Sequence, residues 1–179
     1  MFVRERFSNF YSKSTKQYPG ELDMIEPNLY LSGVAEAQNI ETLKKYKITH
    51  ILTINDYPLT SLVKQALGHL QMKYIKLPDV CSSDLLSYFD EAYEFIREGV
   101  NKGAVLVHCQ MGVSRSATIV IAYLMKKYNI TYREALDRVK MKRCVFPNQG
   151  FVSQLESYRD MGYTTMRRYD PRLARYMMR

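Results

Sequence analysis

Cys109 and Arg115, separated by five residues and followed directly by Ser116, are the side chains whose types and spacing point most directly to chemistry. A thiol with a pKa of about 8.5 is only a few per cent thiolate at neutral pH. Inward N–H groups, a guanidinium and a helix N-terminus lower it to roughly 3.5–7.5. Full ionisation enlarges the nucleophile's population only about thirtyfold, roughly 2 kcal/mol. Catalysed cleavage of a phosphate monoester must supply about 20 kcal/mol, so a reactive thiol alone is not enough. The larger share has to come from holding a phosphoryl group in line and stabilising its equatorial oxygens.

The flanking elements suit that task. Val105 to Val107 is an apolar run of strand character after Gly103, and Ser116 to Tyr128 is too long for a strand and apolar nearly all round. The reading is a buried strand, a short loop and a buried helix. A five-residue loop of Gln110, Met111, Gly112, Val113 and Ser114 can curl so that its N–H groups point inward, while the helix adds its positive end. Such a ring binds a tetrahedral dianion, and Arg115 offers a bidentate fork that a lysine cannot match.

The run His108-Cys109-Gln110-Met111-Gly112-Val113-Ser114-Arg115-Ser116 resembles the phosphate loop of the dual-specificity protein phosphatases, within the cysteine-dependent phosphatases. The resemblance covers roughly residues 24–162. It implies that Cys109 is the nucleophile, that residues 110–115 hold the phosphate, and that Ser116 donates to the thiolate as phosphocysteine is hydrolysed. His108 then braces the loop. Its side chain should point away from Cys109 along the strand. The alternative for Cys109 is a buried structural thiol, and for Ser116 a helix-terminal hydroxyl.

The leaving oxygen needs a proton donor that later serves as base toward water. Asp79 is the candidate. It follows a strand and lies five residues before Asp84, a layout similar to the family's general-acid loop. Asp84 is the rival, although capping a helix is its more natural role. The classical tyrosine phosphatases carry Trp-Pro-Asp here, whereas this chain has Leu77-Pro78-Asp79 and no tryptophan. Asn148, in a segment similar to the family's Pro-Asn-x-Gly-Phe, reads as a structural cap on the last helix. Cys81 lies two residues from Asp79 and is a candidate partner for Cys109 under oxidation, against an inert loop thiol.

Elsewhere, Met24-Ile25 and Leu29–Leu31 flank Pro27-Asn28 as a hairpin at a sheet edge. Asn39 caps a short helix through Lys45, and Ile48–Ile54 and Met72–Leu77 read as strands around a polar or helical connection. Ser83 or Asp84 is expected to start a helix with Leu85, Leu86, Phe89, Tyr93 and Ile96 inward. Thr131-Tyr132-Arg133-Glu134 has capping-box form. Asn148 opens a final helix with Leu155 and Met161 inward. Val3, Phe7, Phe10 and Tyr11 repeat at helical spacing. Alternating strands and helices predict an α/β fold. The resemblance implies a three-layer sandwich with a mostly parallel mixed sheet of about five strands.

The chain's 179 residues, 46% hydrophobic and 25% charged, fit one globular domain. The net charge of +8 is concentrated at the ends: residues 1–20 carry +3 and residues 163–179 carry +4, leaving the middle close to neutral. The expected organisation is a basic aromatic extension (1–20), a catalytic domain (21–162) and a basic tail (163–179). Basic ends suit an acidic partner, a membrane surface or nucleic acid, with a solvated flank as the plainer reading. No stretch reaches about 18 uninterrupted apolar residues. The N-terminus lacks a secretion-signal core and a myristoylation glycine, and the three cysteines are scattered. A cytoplasmic or nuclear enzyme is expected.

Other functions fare worse. No Cys-x-x-Cys occurs and His50, His69 and His108 share no helical face, so neither metal nor cofactor is expected. Gly-x-x-x-x-Gly-Lys is absent. Phosphoinositide phosphatases that resemble this family place lysines in the loop, where this chain has uncharged Gln110, Met111 and Val113. Those residues favour a singly phosphorylated group, and the resemblance implies a phosphoprotein carrying phosphotyrosine, phosphoserine or phosphothreonine as the substrate. An RNA 5′-phosphatase and a phosphate-binding pseudophosphatase remain as alternatives.

Overall fold

A computed structural model describes residues 21–165. The N-terminal aromatic segment around Phe7 and residues 166–179 of the basic C-terminal tail lie outside the described residues. Five strands form one sheet in the order β1-β2-β5-β3-β4. They are β1 (Asp23–Glu26), β2 (Leu29–Ser32), β3 (Ile48–Asn55), β4 (Gln71–Lys76) and β5 (Ala104–His108). The first two pair antiparallel around Asn28, whose φ of 65° closes the hairpin; every other pairing is parallel. β1 is one of the two sheet edges, as its short Met24-Ile25 pattern predicts.

Parallel strands need covering on both faces, and among the described residues seven helices cover them. They are α1 (Val34–Ala37), α2 (Ile40–Lys45), α3 (Ser61–Ala66), α4 (Phe89–Lys102), α5 (Arg115–Tyr128), α6 (Tyr132–Lys140) and α7 (Gln149–Asp160). Strand alternation sends Leu31, Leu52, Val105 and Val107 into the layer of α4–α7. Ile51, Ala104 and Leu106 go to the opposite layer with Leu43 and Val63. β5 is buried at every residue, and α5 is buried from Arg115 to Met125. The three-layer sandwich is as expected, with the central strand feeding directly into the central helix.

The caps follow the sequence. Asn39 accepts from Thr42 N at 3.0 Å, and Thr131 and Glu134 close a reciprocal capping box. Two details differ from expectation. α4 starts at Phe89, after a 3₁₀ turn over Leu86–Tyr88, and not at Ser83 or Asp84. The amides of Leu85 and Leu86 both donate to Gln154 Oε1, at 2.8 and 2.7 Å, while the Ser83 hydroxyl turns back to the Pro78 carbonyl. Asp84 is left to accept from Ser87 N, capping the 3₁₀ turn. In α7 the buried face is Phe151, Leu155 and Tyr158, and Met161 is exposed; the helix ends at Asp160, so Met161 falls past its inward stripe.

Asp90 of α4 joins several elements of the α4–α7 layer. Burial pushes its carboxyl up, but hydrogen bonds from Lys126, Thr165 and Tyr158 outweigh this and hold it well below the usual carboxylate range. One buried anion thus ties α4 to α5, to α7 and to the chain beyond α7.

Candidate active site

The loop between β5 and α5 is shaped from outside. His108 Nδ1 lies 3.3 Å from the Cys109 carbonyl, and Val34 N donates to the Gln110 carbonyl at 3.1 Å. Arg143 donates from Nη2 to the Met111 carbonyl at 2.9 Å and from Nε to the Gly112 carbonyl at 2.8 Å. Phe146 N donates to Val113, and Thr118 donates twice to Ser114. With six successive carbonyls engaged outward, the amides are free to converge on Cys109. Gly112 is required here: its φ is +68°, and a Cβ would stand 2.4 Å from the Ser32 carbonyl oxygen.

Cys109 is buried at the centre of this ring. Its Sγ accepts from Gly112 N at 3.2 Å and from the Ser116 hydroxyl at 3.1 Å. Burial pushes the thiol's pKa up. The Ser116 hydroxyl and the amides of Ser116, Gly112 and Val113 outweigh burial and bring it below the ordinary thiol value. The sulfur therefore sits among donors that favour the thiolate.

His108 lies on the opposite side of the strand, facing the same layer as Leu106. Its Nε2 is 2.8 Å from Thr53 Oγ1, its register partner on β3. Burial lowers its pKa to about 4, so it is a neutral brace at physiological pH. The structure brings it to the loop's backbone and not to the sulfur, as the strand alternation requires.

Arg115 is buried at the start of α5. Its Nη1 donates to Asp56 Oδ2 at 2.9 Å and to the Leu77 carbonyl at 3.0 Å. Its Nε is buried without a hydrogen bond, 3.5 Å from Asp79 Oδ2. Anchored on one edge, the guanidinium has a fixed plane to present to a ligand's oxygens. Gln110 Oε1 accepts from Asn55 Nδ2 at 3.2 Å.

Asp79 meets the loop through its carboxylate. Oδ1 accepts from the Ser114 hydroxyl at 2.9 Å and from Asn148 Nδ2 at 2.7 Å. The Ser114 hydroxyl in turn accepts from Asn148 N at 3.2 Å. Asn148 also caps α7, accepting from Phe151 N at 3.0 Å, so its structural reading is incomplete. The Asp79 segment lies against the N-terminus of α7: a Cβ on Gly150 would be 2.0 Å from the Cys81 carbonyl oxygen. Gln154 holds the far end of that segment through Ser83, Leu85 and Leu86. Asp84 does not share these contacts. Cys81 is exposed and Cys109 buried, both with free thiols.

The structure therefore gathers Cys109, residues 110–114, Arg115, Ser116 and Asp79 in one site. Sequence reasoning missed Arg143, Asp56, Gly150 and Gln154. Arg143 also pairs with Asp23 on β1, Nη1 to Oδ2 at 2.6 Å, a contact across 120 positions that no local pattern signals. Among the described residues no group of three or more His, Cys, Asp or Glu is arranged to hold a metal ion, and no helix is long and apolar enough to cross a membrane.

A family model described as the dual specificity phosphatase catalytic domain matches residues 29–161. The chain is 41% identical over 160 residues to a Drosophila melanogaster protein named dual specificity protein phosphatase MPK-4, covering 88% of this chain and 40% of that one. It is 41% identical over 140 residues to dual specificity protein phosphatase 1B of Arabidopsis thaliana, covering 77% of this chain and 81% of that one. The chain thus spans well under half the length of the fly relative and most of the plant one. Among solved structures, the Yvh1 phosphatase domain from Chaetomium thermophilum is similar with a TM-score of 0.75 and 33% identity, over 82% of this chain and all of that one.

Proposed function

We propose that this chain, which belongs to the dual specificity phosphatase catalytic-domain family, is a protein phosphatase that hydrolyses phosphotyrosine and phosphoserine or phosphothreonine monoesters through a phosphocysteine intermediate. The observation that carries the reading is the Cys109 sulfur, buried within hydrogen-bond reach of Gly112 N and the Ser116 hydroxyl.

In this mechanism the thiolate of Cys109 attacks phosphorus while loop amides and Arg115 hold the equatorial oxygens. Asp79 protonates the leaving oxygen, and its carboxylate then takes a proton from the attacking water. Ser116 donates to the sulfur as it is released, lowering the cost of a thiolate leaving group. Asp56 and the Leu77 carbonyl support Arg115 by fixing its orientation.

The catalytic domain is proposed to occupy residues 21–162, with basic extensions at 1–20 and 163–179 that suit an acidic partner. The scattered, unpaired cysteines favour a cytoplasmic or nuclear setting. The test is hydrolysis of para-nitrophenyl phosphate with EDTA and reductant across pH, wild type beside Cys109→Ser. Turnover that vanishes in the variant supports the reading. A folded wild type without turnover makes a phosphate-binding pseudophosphatase the better account.

A further inference from the structure

Ten large apolar side chains are exposed among the described residues, and singly such residues need no explanation. Four of them fall within the segments that close the site. Tyr57 follows Asp56, the partner of Arg115; Val80 follows Asp79; Met111 is within the loop; Phe146 precedes Pro147-Asn148. Their exposures are 78%, 48%, 68% and 72%. Each is fixed by backbone bonding close by. The Asp56 carbonyl accepts from the Tyr74 hydroxyl at 2.9 Å, the Val80 carbonyl from Ser83 N at 3.0 Å, the Met111 carbonyl from Arg143, and Phe146 N donates to Val113 at 2.8 Å. Exposed apolar groups carried on the segments that bound a polar site suit a surface that loses water on binding.

Two cations next to these segments are already engaged. All three nitrogens of the Arg143 guanidinium point to loop carbonyls or Asp23, and Lys140 Nζ lies 5.4 Å from the Phe146 ring centre. A second phosphate, or a nucleic-acid backbone, would meet an apolar rim and the carboxylates of Asp56 and Asp79. Two stiff aromatic rings and an adaptable methionine instead match the side chains of an extended peptide.

We propose that Tyr57, Val80, Met111 and Phe146 form a specificity rim that receives large apolar side chains flanking the phosphorylated residue of a protein substrate. The inference rests on the phosphatase reading of the site. It selects among phosphoproteins by their neighbouring residues and disfavours phosphorylated RNA ends.

The test uses matched phosphotyrosine peptides that differ only at the two positions on either side of the phosphotyrosine: Leu and Phe, Ser, or Glu. A 5′-phosphorylated RNA oligonucleotide is run beside them. The apolar-flanked peptide should have a kcat/KM about tenfold above the serine-flanked one, carried mainly by KM. The double variant Tyr57→Ser, Phe146→Ser should shrink that ratio to about twofold, with an unchanged melting profile. The same ranking should appear in Kd for the Cys109→Ser protein, which reads the rim without turnover. A flank-independent kcat/KM, a preference that survives the double variant, or RNA turned over as well as the best peptide would overturn the inference while leaving turnover of para-nitrophenyl phosphate intact. Failure of the phosphatase reading would instead remove that turnover, with the Kd ranking still deciding the rim.

Discussion

The Ser114 hydroxyl donates to Asp79 Oδ1 at 2.9 Å, joining the loop between β5 and α5 to the segment that carries the candidate acid. Asn148 bonds both partners, so three separate stretches of chain meet at one carboxylate. The acid's position is therefore set by the loop and by α7 as much as by its own segment.

If Asp79 protonates the leaving group, Asp79→Asn should slow phosphopeptide hydrolysis by about 10²–10³-fold. An aryl phosphate with a good leaving group should be slowed far less. Steady-state rates on both substrates check this. Equal slowing would move the role elsewhere, with Asp84 next in line.

Gly150→Ala should mimic that loss without touching a titratable group. A Cβ 2.0 Å from the Cys81 carbonyl must displace either the Asp79 segment or the start of α7. Expected are a stability loss of about 1–3 kcal/mol and a larger fall in rate on phosphopeptides than on aryl phosphates. Urea unfolding and parallel kinetics separate the two effects.

The lowered pKa of Cys109 predicts that alkylation by iodoacetamide stays fast to a lower pH than for an ordinary thiol. The rate falls as pH drops through that lowered value, because the thiolate is the reactive form. Ser116→Ala removes the largest of the lowering contacts and should move the midpoint upward. The pH profile of alkylation measures both.

His108 has the opposite consequence for stability. It takes up a proton near pH 6.5 when unfolded but only near 4 when folded, because burial disfavours the imidazolium. The unfolded state thus binds the proton first as pH falls. The contribution is fully present above pH 6.5 and is lost between 6.5 and 4, amounting to about 3 kcal/mol. His108→Gln should flatten that part of the stability–pH curve relative to wild type, as read by urea midpoints at pH 7 and pH 5.

Arg143→Ala should weaken phosphate binding and turnover together, by about ten- to a hundredfold, since the Met111 and Gly112 carbonyls lose the fork that turns them outward. Arg143→Lys should restore little, because one ammonium cannot span both carbonyls and Asp23. Inhibition by inorganic phosphate and circular dichroism distinguish loop distortion from unfolding.

What could be read from the sequence was local. The strand–loop–helix around Cys109 is legible because burial, spacing and the helix start all fall within one short run. Asp79 is legible because it follows a strand and precedes a helix-forming stretch. Arg143 is not. It ends a basic run after α6 that looks solvated, and its partners are Met111, Gly112 and the remote Asp23. The delayed start of α4 was hidden for the same reason, since Gln154, about seventy positions away, occupies the amides that a helix cap would have used. Met161 fits the helical period only if α7 continues one residue beyond Asp160, where it ends.

The Asp23–Arg143 pair also bears on where the working unit begins. The family model's match starts at residue 29, after β1, yet the carboxylate that holds Arg143 is on β1. A protein trimmed to residues 29–161 would keep every residue of the loop between β5 and α5 and lose the anchor of the arginine that shapes it. The outermost strand is thereby part of what holds the loop: the bounds of a family model mark where the fold is recognisable, whereas the hydrogen bonds mark how much chain the loop leans on to keep its carbonyls turned outward.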